Sequence, residues 1–595
     1  MRSRSLRQFV ALATLCLGSR ALAAQGVVLG SAVVDNRSGR MIANQPPNIP
    51  TTTIHVNGVV VSSVDGKPVP RVLVTSMDRR FAALTDWQGR FAFDYRMPTA
   101  SQAGSGFGSF GGIIPNLGLI LRKPGYVNEN QAARVPAPAP GSTTANLQIR
   151  ITPDAAIVGH VTPDSGELPN GLRVILRRRQ AQEGVGQWFQ AGSAQVDRNG
   201  EFRFANLSPG DYVVMTSAWS QPSGFGTQNR PDTTRGLLPT YYPSGATMAE
   251  ATRIHVGPGD TQNINLRPTS ATFYHVSVGV DGLSAPNFGA SLPSDAGFSL
   301  GANQSTTHTV EGYLPTGSYT VRIESFSPGL QPGANRVAMG ARGNRSTSFA
   351  HLEVGSAPLI GSKITAAPAA DIQVNVTRDF TNTQQQQVID FHGPPGNNGH
   401  PPPIYLDLQP ADGTGYNMVA TEPDAEGDTV TLHNVPEGTY HVHINAPQGY
   451  VASAMSGSTN LLTTPLTVGP GGSAASIYIT LRDDFASLSC RLGTGQPPDD
   501  SVATQQPVFV LAIPLDTPEV RSQPVAFYPQ PFRLPSSPIA PGRYLLVAMS
   551  STGMQTLEYR DPEVLHQLMS KGVSVNLAPG AKESVDVPLL ADGDN

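Results

Sequence analysis

The chain is short of charge, of cysteine and of long apolar runs, and each shortage removes a class of protein. Charged residues are 14% of the 595, with a formal charge of −4, whereas an average soluble protein carries about 25%. A sparsely charged, mildly acidic chain is a poor partner for nucleic acid, which is bound through clustered Lys and Arg. The two cysteines are Cys16 and Cys490. Neither His-Glu-x-x-His nor a paired Cys-x-x-Cys occurs, so zinc catalysis is not expected. Beyond the first two dozen residues no run of about 18 apolar residues could span a membrane.

Residues 1–23 place Arg2, Arg4 and Arg7 before an apolar run from Phe9 to Leu17 and then Ala21-Leu22-Ala23. That order reads as a secretory signal peptide cleaved after Ala23. Ala13-Thr14-Leu15 ahead of Cys16 is unlike a lipoprotein box, so a product that is secreted, periplasmic or held at the cell surface is expected. Cleavage removes four arginines and no acid, taking −4 to −8. Only Cys490 then remains, and each domain must rest on core burial rather than a disulfide.

What the chain has in quantity is turn residues, Gly 61 and Pro 53, as in folds of many short strands. One stretch recurs: Leu207-Ser208-Pro209-Gly210-Asp211-Tyr212, Leu314-Pro315-Thr316-Gly317-Ser318-Tyr319, Val435-Pro436-Glu437-Gly438-Thr439-Tyr440 and Ile539-Ala540-Pro541-Gly542-Arg543-Tyr544. The glycines stand 107, 121 and 104 residues apart, the length of one small domain, so the chain reads as a tandem array. Around the second domain's copy, Phe202 and Phe204, then Tyr212 and Val214, alternate with their neighbours. Period two on both sides of a Pro-Gly turn predicts an antiparallel hairpin, with the tyrosine ring buried and its hydroxyl bonded to backbone, as at the tyrosine corner of sandwiches. Val256-Gly257-Pro258-Gly259, Val468-Gly469-Pro470-Gly471 and Leu577-Ala578-Pro579-Gly580 precede further alternating segments, read as a closing hairpin in each domain.

The first domain carries Asn57-Gly58-Val59-Val60-Val61, Asp65-Gly66-Lys67-Pro68, Thr85-Asp86-Trp87-Gln88-Gly89-Arg90-Phe91 and Lys123-Pro124-Gly125-Tyr126. It resembles the carboxypeptidase regulatory-like domain, a transthyretin-like or prealbumin-like sandwich of about seven strands. The second domain matches through Ile157 to Val161 and Asp197-Arg198-Asn199-Gly200-Glu201-Phe202. The later three keep the Gly-x-Tyr stretch without the Asp-x-x-Gly-x-Phe turn. In this family such domains are accessory modules, so the resemblance implies a fold more than an activity.

The expected architecture is all-β: a signal peptide at 1–23, a lead at 24–52, and sandwiches at 53–152, 153–269, 270–366, 367–484 and 485–595. A short helix is expected at 561–570, with Asp561 as cap, Pro562 at the first position and Gly572 as stop. A weaker helical signal covers Ala246 to Arg253.

Candidate sites follow from chemistry. Trp87, Trp188, Tyr241 and Tyr242 lie near expected turns and strand ends, where exposed rings could stack on sugars. His433, His441 and His443 flank the fourth Pro-Gly turn; two adjacent strands could bring three imidazoles within reach of a metal. Gly297-Phe298-Ser299-Leu300-Gly301 matches a nucleophile elbow, which needs a helix after the serine. His308-Thr309-Val310-Glu311 imitates half a zinc site, and Arg177-Arg178-Arg179 reads as a solvated loop. The leading expectation is a non-catalytic structural or binding protein needing no cofactor, with a glycan or an envelope protein as partner. The alternatives are a carbohydrate-binding protein proper, or a hydrolase or metal protein using Ser299 or the histidines.

Overall fold

The computed structural model describes residues 33–34, 41–42, 51–77, 79–98, 118–127, 133–135, 142–165, 167–182, 184–220, 231–283, 287–292, 298, 300–303, 308–326, 345–367, 369–381, 404–411, 419–420, 424–426, 429–446, 449–469, 471–492, 508–516, 523–527 and 537–590. The signal-peptide segment and Ser299 lie outside them. Contacts divide the chain into two units, Met1–Ile54 with Tyr95–Pro115, and His55–Asp94 with Asn116–Asn595. The first includes a ribbon in which Val33–Val34 pairs antiparallel with Met41–Ile42. All that follows concerns the second.

Its strands form paired sheets, repeated along the chain. In the second sandwich, a sheet of Glu201–Leu207, Ala155–Val161 and Thr261–Leu266 faces one built from Val185–Gln195, Arg173–Gln182, Gly210–Thr216 and Thr240–Tyr241. Ile157, Phe202, Phe204, Ile264, Val174, Leu176, Tyr212 and Val214 meet between them. The same plan, one core drawn from two sheets, recurs in the third, fourth and fifth sandwiches. Cys490 is buried in the last of these cores.

The Pro-Gly turns do something other than the hairpin expected of them. Glu201–Leu207 and Gly210–Thr216 belong to different sheets, as do Thr309–Leu314 and Gly317–Phe326, Thr429–Val435 and Gly438–Asn445, and Ser537–Ile539 and Gly542–Ser550. Each turn is an arch that carries the chain across the core. Both strands alternate because each packs one face inward, and that pattern is the same whether the partner strand lies beside it or opposite. Gly210, Gly317, Gly438 and Gly542 take φ of 148°, 158°, 151° and 150°, where a Cβ is not tolerated. The tyrosine two residues later turns back, and its hydroxyl donates to the carbonyl four residues before it: Tyr212 to Ser208 at 2.6 Å, Tyr319 to Pro315 at 2.9 Å, Tyr440 to Pro436 at 3.0 Å and Tyr544 to Ala540 at 2.8 Å. The corner ties down an arch that no ladder bonds support.

The closing segments are arches too: Ile254–Val256 and Thr261–Leu266 sit in opposite sheets. The last strand then returns beside the first, parallel to it. Ala156↔Thr261, Val374↔Ile477 and Ser487↔Lys582 are such pairs, so the sandwiches are antiparallel apart from one parallel ladder each. A ribbon of Trp219–Ser220 and Thr233–Leu237, inside the span 153–269, pairs with Ser270–Asp281 and joins the third sandwich's sheet. The expected helix is present as α2, Pro562–Lys571, after α1, Ser551–Thr556; Asp561 Oδ1 accepts from the Glu563 amide at 2.9 Å. The weaker candidate forms only a single turn of 3-10 helix, Met248–Glu250.

The corner phenols respond to alkali. Burial pushes Tyr319 and Tyr544 from the usual 10 up to about 12. A phenol whose folded pKa is raised stabilises the fold fully below the unfolded value and ceases to do so as pH climbs through the folded one. Stability is therefore expected to fall between about pH 10 and pH 12, and Tyr544→Phe should flatten that fall in a series of urea titrations; an unchanged slope would detach it from this tyrosine.

Candidate functional site

Trp87 stands on a turn made by its neighbours. Asp86 Oδ1 accepts from the amides of Gln88 at 2.9 Å and Arg90 at 2.7 Å. The Thr85 hydroxyl, buried, accepts from Val72 N and donates to Val69 O, both at 2.9 Å. The second sandwich repeats this turn: Asp197 Oδ1 accepts from Asn199 N at 2.9 Å and Glu201 N at 2.7 Å. There the residue after the aspartate is Arg198, also exposed. Two identical turns carrying Trp and Arg show that the backbone makes no demand on that side chain. Trp87 is nonetheless 81% exposed, a costly place for the largest apolar ring.

Beside the turn lies an open groove of about 630 Å³ on the outer face of the first sandwich's three-stranded sheet. Asn57, Asn146, Gln148, Arg90 and Asp86 line it together with the smaller apolar side chains of Val59 and Ala92.

The other three aromatics are not free contact surfaces. Tyr241 is 6% exposed and packs with Val213 and Met215, Trp188 being half-buried against the same patch. Tyr242 leans on the core of the second sandwich. They pack because Gly210–Thr216 is apolar on both faces: Tyr212 and Val214 point into the sandwich, Val213 and Met215 out of it. Continuous apolar runs such as Tyr212 to Met215 and Leu545 to Met549 are the sequence signal for strands covered on both sides.

That outer patch borders a contact between sandwiches far apart in sequence. Arg179 reaches Glu558 of the fifth sandwich with two parallel bonds, Nε to Oε1 at 2.6 Å and Nη2 to Oε2 at 2.5 Å. The Trp188 ring lies 5.7 Å from the Arg179 guanidinium and 5.9 Å from that of Arg253, within cation–π range. Arg560 N donates to Gly184 O at 3.0 Å. A Cβ on Gly184 would fall 2.5 Å from the Tyr559 ring, so the approach requires glycine. The arginine run is thus no solvated loop. It lies within Arg173–Gln182, where a register shift follows Leu176; Arg177 is 7% exposed and Arg178 Nη2 donates to Pro209 O at 3.0 Å.

The histidines do not converge. His433 belongs to Thr429–Val435 and pairs with Asp371 at 3.2 Å; His441 and His443 belong to Gly438–Asn445 in the opposite sheet. Because the turn is an arch, their side chains leave the sandwich on opposite outer faces, and sheets pack about 10 Å apart. His443 is buried, 9% exposed, with Nε2 3.0 Å from Gln409 Oε1. Among the described residues no group of three His, Cys, Asp or Glu is placed to hold a metal. His308, at φ 44°, sets its ring 5.9 Å from Phe288. After Ser299, Leu300–Asn303 is a strand paired with Thr309–Leu314, where a nucleophile elbow needs a helix.

No protein-family model matches the chain. No curated protein matches it either. Among solved structures, the minor pilin GBS52 of Streptococcus agalactiae is 13% identical, with 36% of this chain and 95% of the pilin aligned at a TM-score of 0.17. The shaft pilin SpaA of Lactobacillus rhamnosus GG is 10% identical over 37% of this chain and 98% of its own, at 0.16. A streptococcal ancillary pilin is 10% identical over 53% and 100%, at 0.17. Superpositions this loose carry no argument about what the chain does. The resemblance of the first two spans to carboxypeptidase regulatory-like domains accordingly stands as a likeness of sandwich fold, not as membership of that family.

Proposed function

We propose that the chain is an exported, non-catalytic array of β-sandwiches that holds a glycan at the cell envelope through its first sandwich. The observation that carries this reading is Trp87, 81% exposed on a turn whose twin in the second sandwich bears Arg198. A large ring kept in water without a structural task is suited to stacking on an apolar ligand face, and the face of a pyranose ring is one. The remaining sandwiches act as a spacer, since their repeated aromatic residue, the corner tyrosine, is committed to holding an arch.

Pull-down of the mature chain on insoluble polysaccharides tests this. Retention is expected, and Trp87→Ala should lose at least about tenfold of it, as a central aromatic contact does. Absence of retention on every polysaccharide, with a protein retained instead, would turn the reading toward protein docking.

A further inference from the structure

We propose that the groove beside the Trp87 turn is a subsite for a neutral sugar unit, held by amides and one guanidinium beside the apolar side chains of Val59 and Ala92; this rests on the glycan reading above and specifies where and how the ligand sits. The argument comes from comparing two sheets of the same chain. In the first sandwich Val59 pairs with Gln148 and Asn57 with Asn146. In the second, His160 pairs with Asn265 and Val158 with Asn263, the same parallel register. Both sheets have a glycine between these positions, Gly58 and Gly159, whose missing Cβ makes room for the rings of Phe91 and Phe202. The scaffolds are therefore equivalent residue for residue, and Arg90 and Ala92 correspond to Glu201 and Arg203.

The difference is on the outer face. In the second sandwich His160 stands at the position of Val59, its Nε2 2.6 Å from Asn199 O, and Arg203 lies opposite Val158. In the first, Val59 and Ala92 are small and the groove is open, with the amides of Asn57, Asn146 and Gln148 also lining it. An amide offers a donor and an acceptor side by side, which suits neighbouring hydroxyls of a sugar. The small apolar side chains of Val59 and Ala92 suit the ring's C–H face, and the exposed Trp87 follows Asp86 of the lining directly in sequence. Charge gives polyanions no advantage: the lining offers one guanidinium, Arg90, and one carboxyl, Asp86, whose Oδ1 accepts from two backbone amides.

The second sandwich also supplies test variants that this scaffold is built to hold. Val59→His and Ala92→Arg copy His160 and Arg203, and the pair should fill the groove while leaving thermal unfolding of the chain unchanged. Titration calorimetry with cellohexaose and mannohexaose as neutral probes, and hexagalacturonate as an anionic one, reads the outcome. Expected are binding of a neutral probe, weaker binding of the anionic one, and a loss of about tenfold or more in the double variant. If Trp87→Ala abolishes binding while the filled groove binds as before, the ring is the site and the groove is not. Tighter binding of hexagalacturonate overturns the neutral class. If no glycan binds the unaltered chain, the glycan reading itself fails and the subsite with it.

Discussion

Arg179→Glu is expected to uncouple the second and fifth sandwiches and lower the stability of both. Removing one partner of a buried ion pair costs about 3–5 kcal/mol; with the side chains 26% and 23% exposed, solvent screening reduces that to about 1–3 kcal/mol. The substitution also places a carboxylate against Glu558 and takes away one of the two guanidiniums beside Trp188. Glu558→Arg should do comparable harm, because it sets two guanidiniums together. Joining the two changes restores opposite charges, so the double variant should recover most of the loss. Calorimetric unfolding decides it: penalties that simply add in the double variant would show that the pair contributes nothing of its own. The contact is specific, since Gly184 admits the Tyr559 ring and the backbone bond from Arg560 fixes its register.

The second large effect is expected at the arch of the fourth sandwich. Gly438 combines φ 151° with a Cβ direction that ends 3.1 Å from the Tyr440 hydroxyl. Alanine there must either strain the backbone, at about 1–3 kcal/mol, or push back the ring that secures the turn. Gly438→Ala is expected to lower stability by about 2–3 kcal/mol. Tyr440→Phe keeps the ring and removes one hydrogen bond, so about 1 kcal/mol is expected. Urea unfolding of both variants separates the causes. Should Gly438→Ala prove no worse than Tyr440→Phe, the arch would not need its glycine conformation.

Much of this is legible in the sequence alone. Period-two alternation, dense Pro and Gly, and the recurring Gly-x-Tyr stretch specify sandwiches and the buried tyrosine, because both depend on local geometry that a few residues carry. The cap, first-turn proline and stop of α2 are similarly local. Trp87 was legible as a turn residue, and its exposure follows from the bonds Asp86 makes around it.

Other features were not. Alternation gives the inward face of a strand without giving its neighbour, so hairpin and arch read alike, and the histidines of the fourth sandwich read as lying on adjacent strands although their strands belong to opposite sheets. Trp188 and Tyr241 read as loop aromatics, although the apolar run beside them marks a face that is covered. The arginine run reads as solvated, since nothing near it in sequence announces Glu558.

By itself the sequence determined the strand-rich character, the repeat and the tyrosine corner at each recurring Gly-x-Tyr arch, since turn chemistry and side-chain periodicity act over a few residues. Only the tertiary structure decided which strands share a sheet, that Arg179 meets Glu558, and that the first sandwich has an open groove where the second is filled. Those outcomes depend on residues distant along the chain, and on the volume left over when two like sheets carry different side chains, Val59 and Ala92 against His160 and Arg203.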